Sequence, residues 1–292
     1  MTAPDAPVVE IDGAHKVFLP SDRRGTPVEA LRGIDLTVRR GEFVSLIGPS
    51  GCGKSTLLRM IGDLTSPTDG TITVNGKTAH RARLDRDYGI VFQAPVLFDW
   101  RTVAANVELP LEITRMSREE RARRASELLA MVELSDFGRH HPWQLSGGMQ
   151  QRVAIARALA LDPAILLMDE PFGALDEMTR ERMNLELLRI WERTGTTVVF
   201  VTHSIPEAVF LSTRVVVMSP RPGSITAVVP IDLPRHRTVD TRETPRYFEL
   251  VTQVRESLRR EEPRGPAEET VLADAVITEA ADARVRAEGL GG

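Results

Sequence analysis

The chain has 292 residues, of which 42% are hydrophobic and 27% are charged, and its formal net charge is −4. This length can bury a sizeable core in one large domain or two, but a mildly acidic chain lacks the basic field that a nucleic-acid ligand would require. The single cysteine, Cys52, excludes an internal disulfide and suits a reducing compartment. No run approaches the roughly 20 apolar residues of a membrane span. The N-terminus lacks a cationic and then apolar export signal, so we expect a cytosolic chain.

The first part of the chain, from Val8 to about Thr78, alternates strand-like runs with turns. This pattern predicts a β-rich edge followed by the start of a nucleotide-binding core. The run Phe43–Ile47 is short and apolar, as expected of a buried strand, and a glycine-rich loop follows it. After the loop, the apolar pattern from Thr56 to Ile61 predicts a helix.

The loop between this strand and this helix matches G-x-x-x-x-G-K-[ST] at every constrained position, which is the pattern of a phosphate-binding loop. Glycines allow the main chain to wrap phosphates without Cβ clashes. We expect Lys54 to neutralise the β- and γ-phosphates of ATP and the Ser55 hydroxyl to ligate Mg²⁺. Because the chain contains only three lysines, a lysine here is not background composition. The predicted nucleotide-binding residues of the loop are Gly48, Pro49, Ser50, Gly51, Cys52, Gly53, Lys54, Ser55 and Thr56.

A helical insertion is predicted after Gln93, where Ser117 and Glu120 form a capping-box pattern that opens a helix to about Val132. A second glycine-rich segment then precedes the helix-like run Val153–Leu159. Backbone N–H groups exposed at such a helix N-terminus can hold an anion. Since one nucleotide rarely needs two cradles from the same chain, we expect this one to cap an ATP held by another copy; the alternative is an ordinary glycine-rich helix cap. Its predicted contact residues are Ser146, Gly147, Gly148 and Gln150.

The apolar run Ile165–Met168 predicts a strand buried on both faces, and it ends in two carboxylates. Ligands of open α/β sheets gather at the carboxyl ends of strands, so these carboxylates should face the phosphates. We expect Asp169 to hold Mg²⁺, directly or through water, and Glu170 to be the general base that polarises the attacking water. Alone, such a pair would more often be a solvated strand end. From Arg152 to about Ser219, helix and strand patterns alternate, which predicts a parallel sheet.

Together these motifs resemble the ATP-binding cassettes of ABC-type ATPases, whose signature motif is matched by LSGGMQQR at residues 145–152. The resemblance covers residues 8–225 and implies an α/β fold: a P-loop NTPase with a RecA-like parallel sheet core. It also implies an N-terminal antiparallel β subdomain, a helical signature subdomain at about residues 94–158, and dimers that sandwich two ATPs.

Four further positions match the family. Gln93 matches the Q-loop glutamine, which contacts Mg²⁺ and water, and His203 matches the H-loop histidine that touches the γ-phosphate. The resemblance therefore implies catalytic roles for both, beside Glu170. Asp176 lies in a segment that resembles the D-loop, which crosses the dimer interface. Phe18, thirty residues before the phosphate loop, either stacks on adenine like the family's A-loop aromatic or belongs to the core.

Three segments, Ala94–Val103, Ser204–Leu211 and Met218–Gly223, are similar to those of nitrate, sulfonate/taurine and hydroxymethylpyrimidine importers. The resemblance implies ATP hydrolysis that energises uptake of a small solute through a separate permease, with this chain peripheral on the cytoplasmic face of the cell membrane. The implied partners are a second ATPase subunit, expected to be an identical copy, the permease, and indirectly an extracytoplasmic solute-binding protein. Phe98 and Trp100 lie where such ATPases receive a permease helix, and we expect them either to contact it or to belong to the core of the helical subdomain.

After residue 225 we expect an extension to residue 262 with one helix, Arg246–Arg260, and then a mobile tail over residues 263–292, in which residues 271–287 could be helical. Two other functions compete: a non-transport ABC ATPase of DNA repair or translation, and a scaffold cassette that does not hydrolyse ATP. A non-transport ABC ATPase would be expected to have long coiled-coil insertions or a second cassette, which this sequence lacks. It would also be expected to have a more basic surface, whereas the net charge here is −4. Intact Lys54, Glu170 and His203 disfavour the scaffold cassette.

Overall fold

A computed structural model describes residues 7–20 and 26–260 of the chain. The strands are β1 (Pro7–Phe18), β2 (Val28–Arg39), β3 (Phe43–Ile47), β4 (Asp69–Val74), β5 (Lys77–Thr78), β6 (Tyr88–Val91), β7 (Ile165–Asp169), β8 (Thr197–Val201), β9 (Arg214–Met218) and β10 (Ile225–Pro230). The helices are α1 (Lys54–Ile61), α2 (Ala79–Asp85), α3 (Val103–Glu112), α4 (Arg118–Met131), α5 (Gly147–Ala158), α6 (Glu177–Thr194), α7 (Ile205–Leu211) and α8 (Pro245–Arg259).

The strands form two sheets of different character. An antiparallel sheet has the order β2-β1-β4-β5, and a six-stranded sheet has the order β10-β9-β3-β8-β7-β6. Within the larger sheet every pair from β9 to β6 is parallel, and only the β10–β9 pair is antiparallel. The predicted α/β fold with a parallel core and an N-terminal antiparallel sheet is therefore confirmed.

The central strands are buried on both faces, as their continuous apolar sequences predict. In β7, Leu166 and Met168 pack into the core under α3 to α8, whereas Ile165 and Leu167 point to the other side. On that side lies α1, whose apolar side chains meet both the parallel strands and the antiparallel sheet. Because α1 begins directly after the phosphate loop, this packing holds the loop at the carboxyl edge of the parallel sheet.

The helical insertion contains α3, α4 and α5, which pack on each other and on α6. The N-terminus of α4 has the predicted capping box: the Ser117 hydroxyl accepts from the Glu120 backbone N–H at 3.2 Å, and the Glu120 carboxylate accepts from the Ser117 N–H at 2.8 Å. Among the helices of residues 7–20 and 26–260, none is both long and apolar enough to cross a membrane.

The segment after residue 225 continues the fold. Strand β10 pairs with β9, and α8, which matches the predicted helix closely, packs its buried Leu250 and Val254 into the core shared with α7. The expected tail, residues 263–292, and its alternative helix at residues 271–287 lie outside the described residues.

Candidate functional site

The phosphate loop links β3 to α1 in a conformation that requires glycine at defined positions. Gly53 has φ +101°, and a Cβ there would lie 2.6 Å from Leu31 Cδ2. A Cβ on Gly48 would lie 2.8 Å from the Met218 carbonyl oxygen. These clashes explain why the loop can follow its tight path only with the glycines of the motif. Thr56, the last predicted residue of the loop, lies half-buried in the first turn of α1.

Lys54 places its ammonium inside this loop. The side chain is only 6% exposed, and Nζ donates to the carbonyl oxygens of Gly48, at 2.8 Å, and Pro49, at 3.0 Å. It also contacts the side chain of Cys52, whose Sγ lies 3.7 Å away. The hydrogen-bond partners of this buried ammonium are all neutral, and the Asp169 carboxylate interacts with it only electrostatically, so the ammonium can exchange these partners for a phosphate.

Ser55 and Asp169 meet across the sheet edge. The Ser55 hydroxyl donates to Asp169 Oδ1 at 2.7 Å, although the two residues are far apart in sequence. Burial raises the pKa of the Asp169 carboxyl, and the hydrogen bond from Ser55 opposes this effect. Two hard oxygen donors beside a phosphate loop are the ligand type that Mg²⁺ prefers.

Glu170 and His203 lie next to each other at the ends of β7 and β8. His203 Nδ1 is 3.2 Å from Glu170 Oε2, and the Glu170 backbone N–H donates to Val201 O at 3.0 Å. Glu170 has φ +44°, a left-handed backbone that non-glycine residues rarely adopt. Strained backbone of this kind at a strand end is typical of functional sites.

Gln93 approaches the same carboxylate from the end of β6. A Cβ placed on Gly173 would lie 3.2 Å from Gln93 Nε2 and 3.5 Å from Glu170 Oε2, so both side chains border the turn that follows Glu170. Three parallel strands thus bring Gln93, Glu170 and His203 together at their carboxyl ends.

The second glycine-rich segment forms the N-terminus of α5. Ser146 is the N-cap residue; its hydroxyl accepts from the Met149 N–H at 3.4 Å, and Ser146 and Gly147 are exposed. Gly148 is buried against α6. Gln150 folds back instead, and its Nε2 donates to the Pro142 and Leu145 carbonyls. The exposed cap offers free backbone N–H groups to a ligand, while Gln150 supports the turn that precedes it.

Two predicted residues have local roles in this structure. Asp176 caps α6: it accepts from the Thr179 N–H at 3.0 Å, and this backbone hydrogen bond lowers the pKa of the Asp176 carboxyl. Phe18 ends β1 half-buried, with Lys16 Nζ 4.8 Å from its ring centroid. Its partly exposed ring leaves the two predicted roles, adenine stacking and core packing, both open.

The structure adds two residues of α5 that sequence reasoning missed. Arg157 donates to the Pro95 and Val96 carbonyls at 2.9 and 2.8 Å, and Gln151 Nε2 donates to the Phe92 carbonyl at 3.1 Å. These bonds tie the backbone on both sides of Gln93 to the helix that begins at Ser146. A sequence signal existed, since Arg157 is the only charge within the apolar run Val153–Leu159.

A third missed residue, Glu207, lies under the His203 turn. It is buried, and the hydroxyl of Thr202, the residue before His203, hydrogen-bonds to its carboxylate. With its amide oriented to satisfy both neighbours, Asn184 donates to Glu207 Oε1 at 3.0 Å and accepts from Arg242 at 3.2 Å. Burial raises the pKa of the Glu207 carboxyl above its ordinary value of 4.5.

Comparison with known proteins agrees with this geometry. A family model described as "ABC transporter" matches residues 31–173. An uncharacterized ABC transporter ATP-binding protein of Methanocaldococcus jannaschii is 50% identical over 84% of this chain and 90% of its own length. The nitrate import ATP-binding protein NrtD of Synechocystis sp. is 45% identical over 86% of this chain and 95% of its own length. The taurine import ATP-binding protein TauB of Rhizobium johnstonii is 46% identical over 85% of this chain and 95% of its own length.

Solved structures show the same fold. A dimeric ATP-binding cassette in a post-hydrolysis state, bound to ADP and Pi, has a TM-score of 0.67 and 40% identity, and the match covers 77% of this chain and all of that one. The cbiO1 protein of Clostridium perfringens, part of the ABC transporter complex cbiONQ, has a TM-score of 0.69 and 25% identity over 88% of this chain and 97% of its own. On its sequence, its fold and the geometry of its nucleotide site, this chain belongs to the family of ABC transporter ATP-binding proteins.

Proposed function

We propose that this chain is the ATP-hydrolysing subunit of an ABC importer that energises uptake of a small solute through a separate membrane permease. The observation that carries the proposal is the grouping, at one sheet edge, of a buried phosphate-loop lysine, the Ser55–Asp169 pair and the Glu170–His203 pair. At such an edge the bound nucleotide, its Mg²⁺ ion and the general base Glu170 lie close to one another. The import ATP-binding proteins NrtD and TauB, similar over most of the chain, support the assignment to uptake.

ATP binds with its phosphates in the loop before α1. Lys54 exchanges its two carbonyl partners for β- and γ-phosphate oxygens, which are better partners for an ammonium. Ser55, Asp169 and Gln93 would hold Mg²⁺, which would supply neutralisation of phosphate charge. In residues 7–20 and 26–260, no cluster of three or more His, Cys, Asp or Glu side chains could hold a metal.

Glu170 and His203, at the ends of β7 and β8, act in the hydrolysis step. Glu170 accepts a proton from the attacking water. His203, 3.2 Å from that carboxylate, orients it and interacts with the γ-phosphate. Gln93, whose Nε2 borders the same turn as that carboxylate, helps to hold the water.

A second copy completes the site. The exposed α5 cap with Ser146 and Gly147 presents N–H groups that suit an anion, and each copy caps the ATP bound to its partner through this cap. The dimeric arrangement of the similar cassette bound to ADP and Pi supports this interpretation. Closure shields the phosphates from water, and hydrolysis then releases the clamp.

The permease contact lies beside the Gln93 segment. Trp100 is 75% exposed and Val96 is 58% exposed, while Phe98 is half-buried, with its ring 4.8 Å from that of Trp100. Exposed aromatic side chains are typical anchors of protein interfaces. We infer that Trp100 contacts the permease on the cytoplasmic face of the membrane. Because Arg157 and Gln151 hold the adjacent backbone, movement there is transmitted to the Ser146 cap.

The solute belongs, by this proposal, to the class of small sulfonates, nitrate or pyrimidine-like compounds. A direct test of the function measures ATP turnover by the purified chain and then co-purification with a candidate membrane permease from the same organism. Turnover that requires Mg²⁺, together with permease capture that Trp100→Ala weakens, is the expected result. ATP binding without turnover, in the presence of the permease, would instead indicate a scaffold cassette.

A further inference from the structure

The loop that joins β9 to β10, Ser219–Ser224, packs against the back of the phosphate loop. The Gly223 N–H donates to Ala30 O and the Gly223 carbonyl accepts from the Arg32 N–H, both at 2.9 Å, so the loop is bonded to β2. A Cβ on Gly223 would lie 1.9 Å from the Cys52 carbonyl oxygen. The two main chains are therefore in direct contact, and only glycine fits at this point.

This contact sets the direction of the next peptide group. In a trans peptide the C=O and N–H groups point in opposite directions. Because the Cys52 carbonyl faces Gly223, the N–H of Gly53 points away from Gly223. Gly223 thus supports the loop from one side and leaves this N–H on the opposite side, where it can bind a phosphate.

Arg221 holds the preceding peptide group. Its Nε and Nη2 both donate to the Gly51 carbonyl, at 3.3 and 3.2 Å, at the tip of the loop where Gly51 has φ +73°. The N–H of the same peptide, that of Cys52, donates to Pro49 O at 3.3 Å. Both polar groups of the Gly51–Cys52 peptide are therefore occupied before nucleotide arrives.

The loop that carries Arg221 is itself closed. The Ser219 N–H donates to the Ser224 carbonyl, and the Ser219 hydroxyl accepts from the Ser224 N–H, both at 2.9 Å. Because these hydrogen bonds close the loop, fewer of its backbone conformations remain accessible. The Arg221 side chain therefore extends from a restricted backbone.

We propose that Arg221 is a positioning residue for nucleotide binding, which holds the tip of the phosphate loop in its phosphate-binding conformation. The inference rests on the proposed ATP site and adds a residue outside its motifs. Ordering a loop during binding lowers affinity, so a loop that is ordered beforehand binds more tightly. The bonds from Arg221 are charge-assisted but exposed, and we expect their loss to weaken nucleotide binding about three- to tenfold.

The test compares Arg221→Ala, Arg221→Lys and wild-type full-length chain by calorimetry with ATP and with ADP, and by the KM and kcat of ATP hydrolysis. Since the loop tip serves both nucleotides, Arg221→Ala should weaken ATP and ADP by the same factor and raise KM more than it lowers kcat. The lysine variant, with one charged donor group, should recover part of the affinity. The control is Arg255→Ala, an exposed arginine on α8, for which we expect wild-type affinity.

Backbone order provides a second measurement. Amide hydrogen exchange of the peptide covering residues 49–55, without nucleotide, should be faster in Arg221→Ala than in wild type and the control. Equal affinities and equal exchange in Arg221→Ala and wild type would overturn the positioning role while the ATP site stands. Weakening of ATP alone would also overturn it, because Arg221 would then act on the γ-phosphate. A wild-type chain that binds neither nucleotide would overturn the proposed function itself.

Discussion

Replacing Glu170 by Gln separates binding from hydrolysis. The side chain keeps its shape, and since both residues have a Cβ, the left-handed backbone at φ +44° is equally strained in both. The substitution removes the negative charge beside His203 Nδ1 and the ability to accept a proton from water. The phosphate loop and the Ser55–Asp169 pair remain as they are.

The effect on stability should be small and the effect on rate large. The His203 and Glu170 side chains are 56% and 27% exposed, and a pair this solvated contributes at most about 1 kcal/mol. A positioned general base contributes about 10²- to 10⁴-fold to rate. At about 1.36 kcal/mol per tenfold, this raises the barrier by about 2.7 to 5.4 kcal/mol. ATP binding should persist, so ATP-bound dimers should accumulate.

The assay measures phosphate release in a single turnover, ATP affinity by calorimetry and dimer formation by light scattering after gel filtration. Glu119→Gln, which changes an exposed carboxylate on α4, is the matched control and should behave as wild type. A Glu170→Gln chain that releases phosphate at the wild-type rate would refute the role of Glu170 as base. A fast chain that stays monomeric would refute the shared site as well.

Three more changes test other parts of the site. Lys54→Ala removes the ammonium from the phosphate loop, and calorimetry should show no ATP binding; unchanged affinity would contradict the assignment of the loop. Ser146→Arg puts a bulky side chain on the exposed cap, so ATP should bind while dimerisation and turnover are lost; turnover by this variant would mean that the partner's cap is not needed. Burial raises the native pKa of Glu207, so the native state binds more protons than the unfolded chain, and stability falls as pH rises from 4.5 through the native value. In Glu207→Gln the side chain is neutral at every pH, so the free energy of unfolding of this variant, measured in urea, should fall less over this pH range. If the free energies of wild type and variant changed with pH in parallel, the Glu207 carboxylate would not be the source of the pH dependence.

Local features were predictable because their causes lie within a few residues. The apolar runs of β3 and β7, the capping box of α4 and the N-cap at Ser146 all depend on side chains and backbone groups no more than about four positions apart. The glycine, lysine and serine of the phosphate loop belong to the same class. Such patterns predicted the α/β class and the order of the motifs along the chain.

The connections between motifs were not predictable in this way. Arg157 reaches Val96 across 61 positions, and Arg221 reaches Gly51 across 170, and no local pattern specifies either pair. Nor did the sequence indicate that Gln150 folds back on its own turn. The cap of α6 by Asp176 is a local pattern, three residues from Thr179, and it was missed because Asp176 was assigned only to the dimer interface.

The chemistry that this protein carries follows from its amino-acid sequence, because a phosphate loop, a carboxylate pair and a helix cap are each defined by short-range geometry. How these parts support one another depends on the tertiary structure. The parallel order of β3, β8, β7 and β6 brings the ends of separate strands to one edge, and long side chains then bridge the loops that follow them. Those bridges depend on the packing of the whole sheet, since the distance between two side chains far apart in sequence is set by everything folded between them.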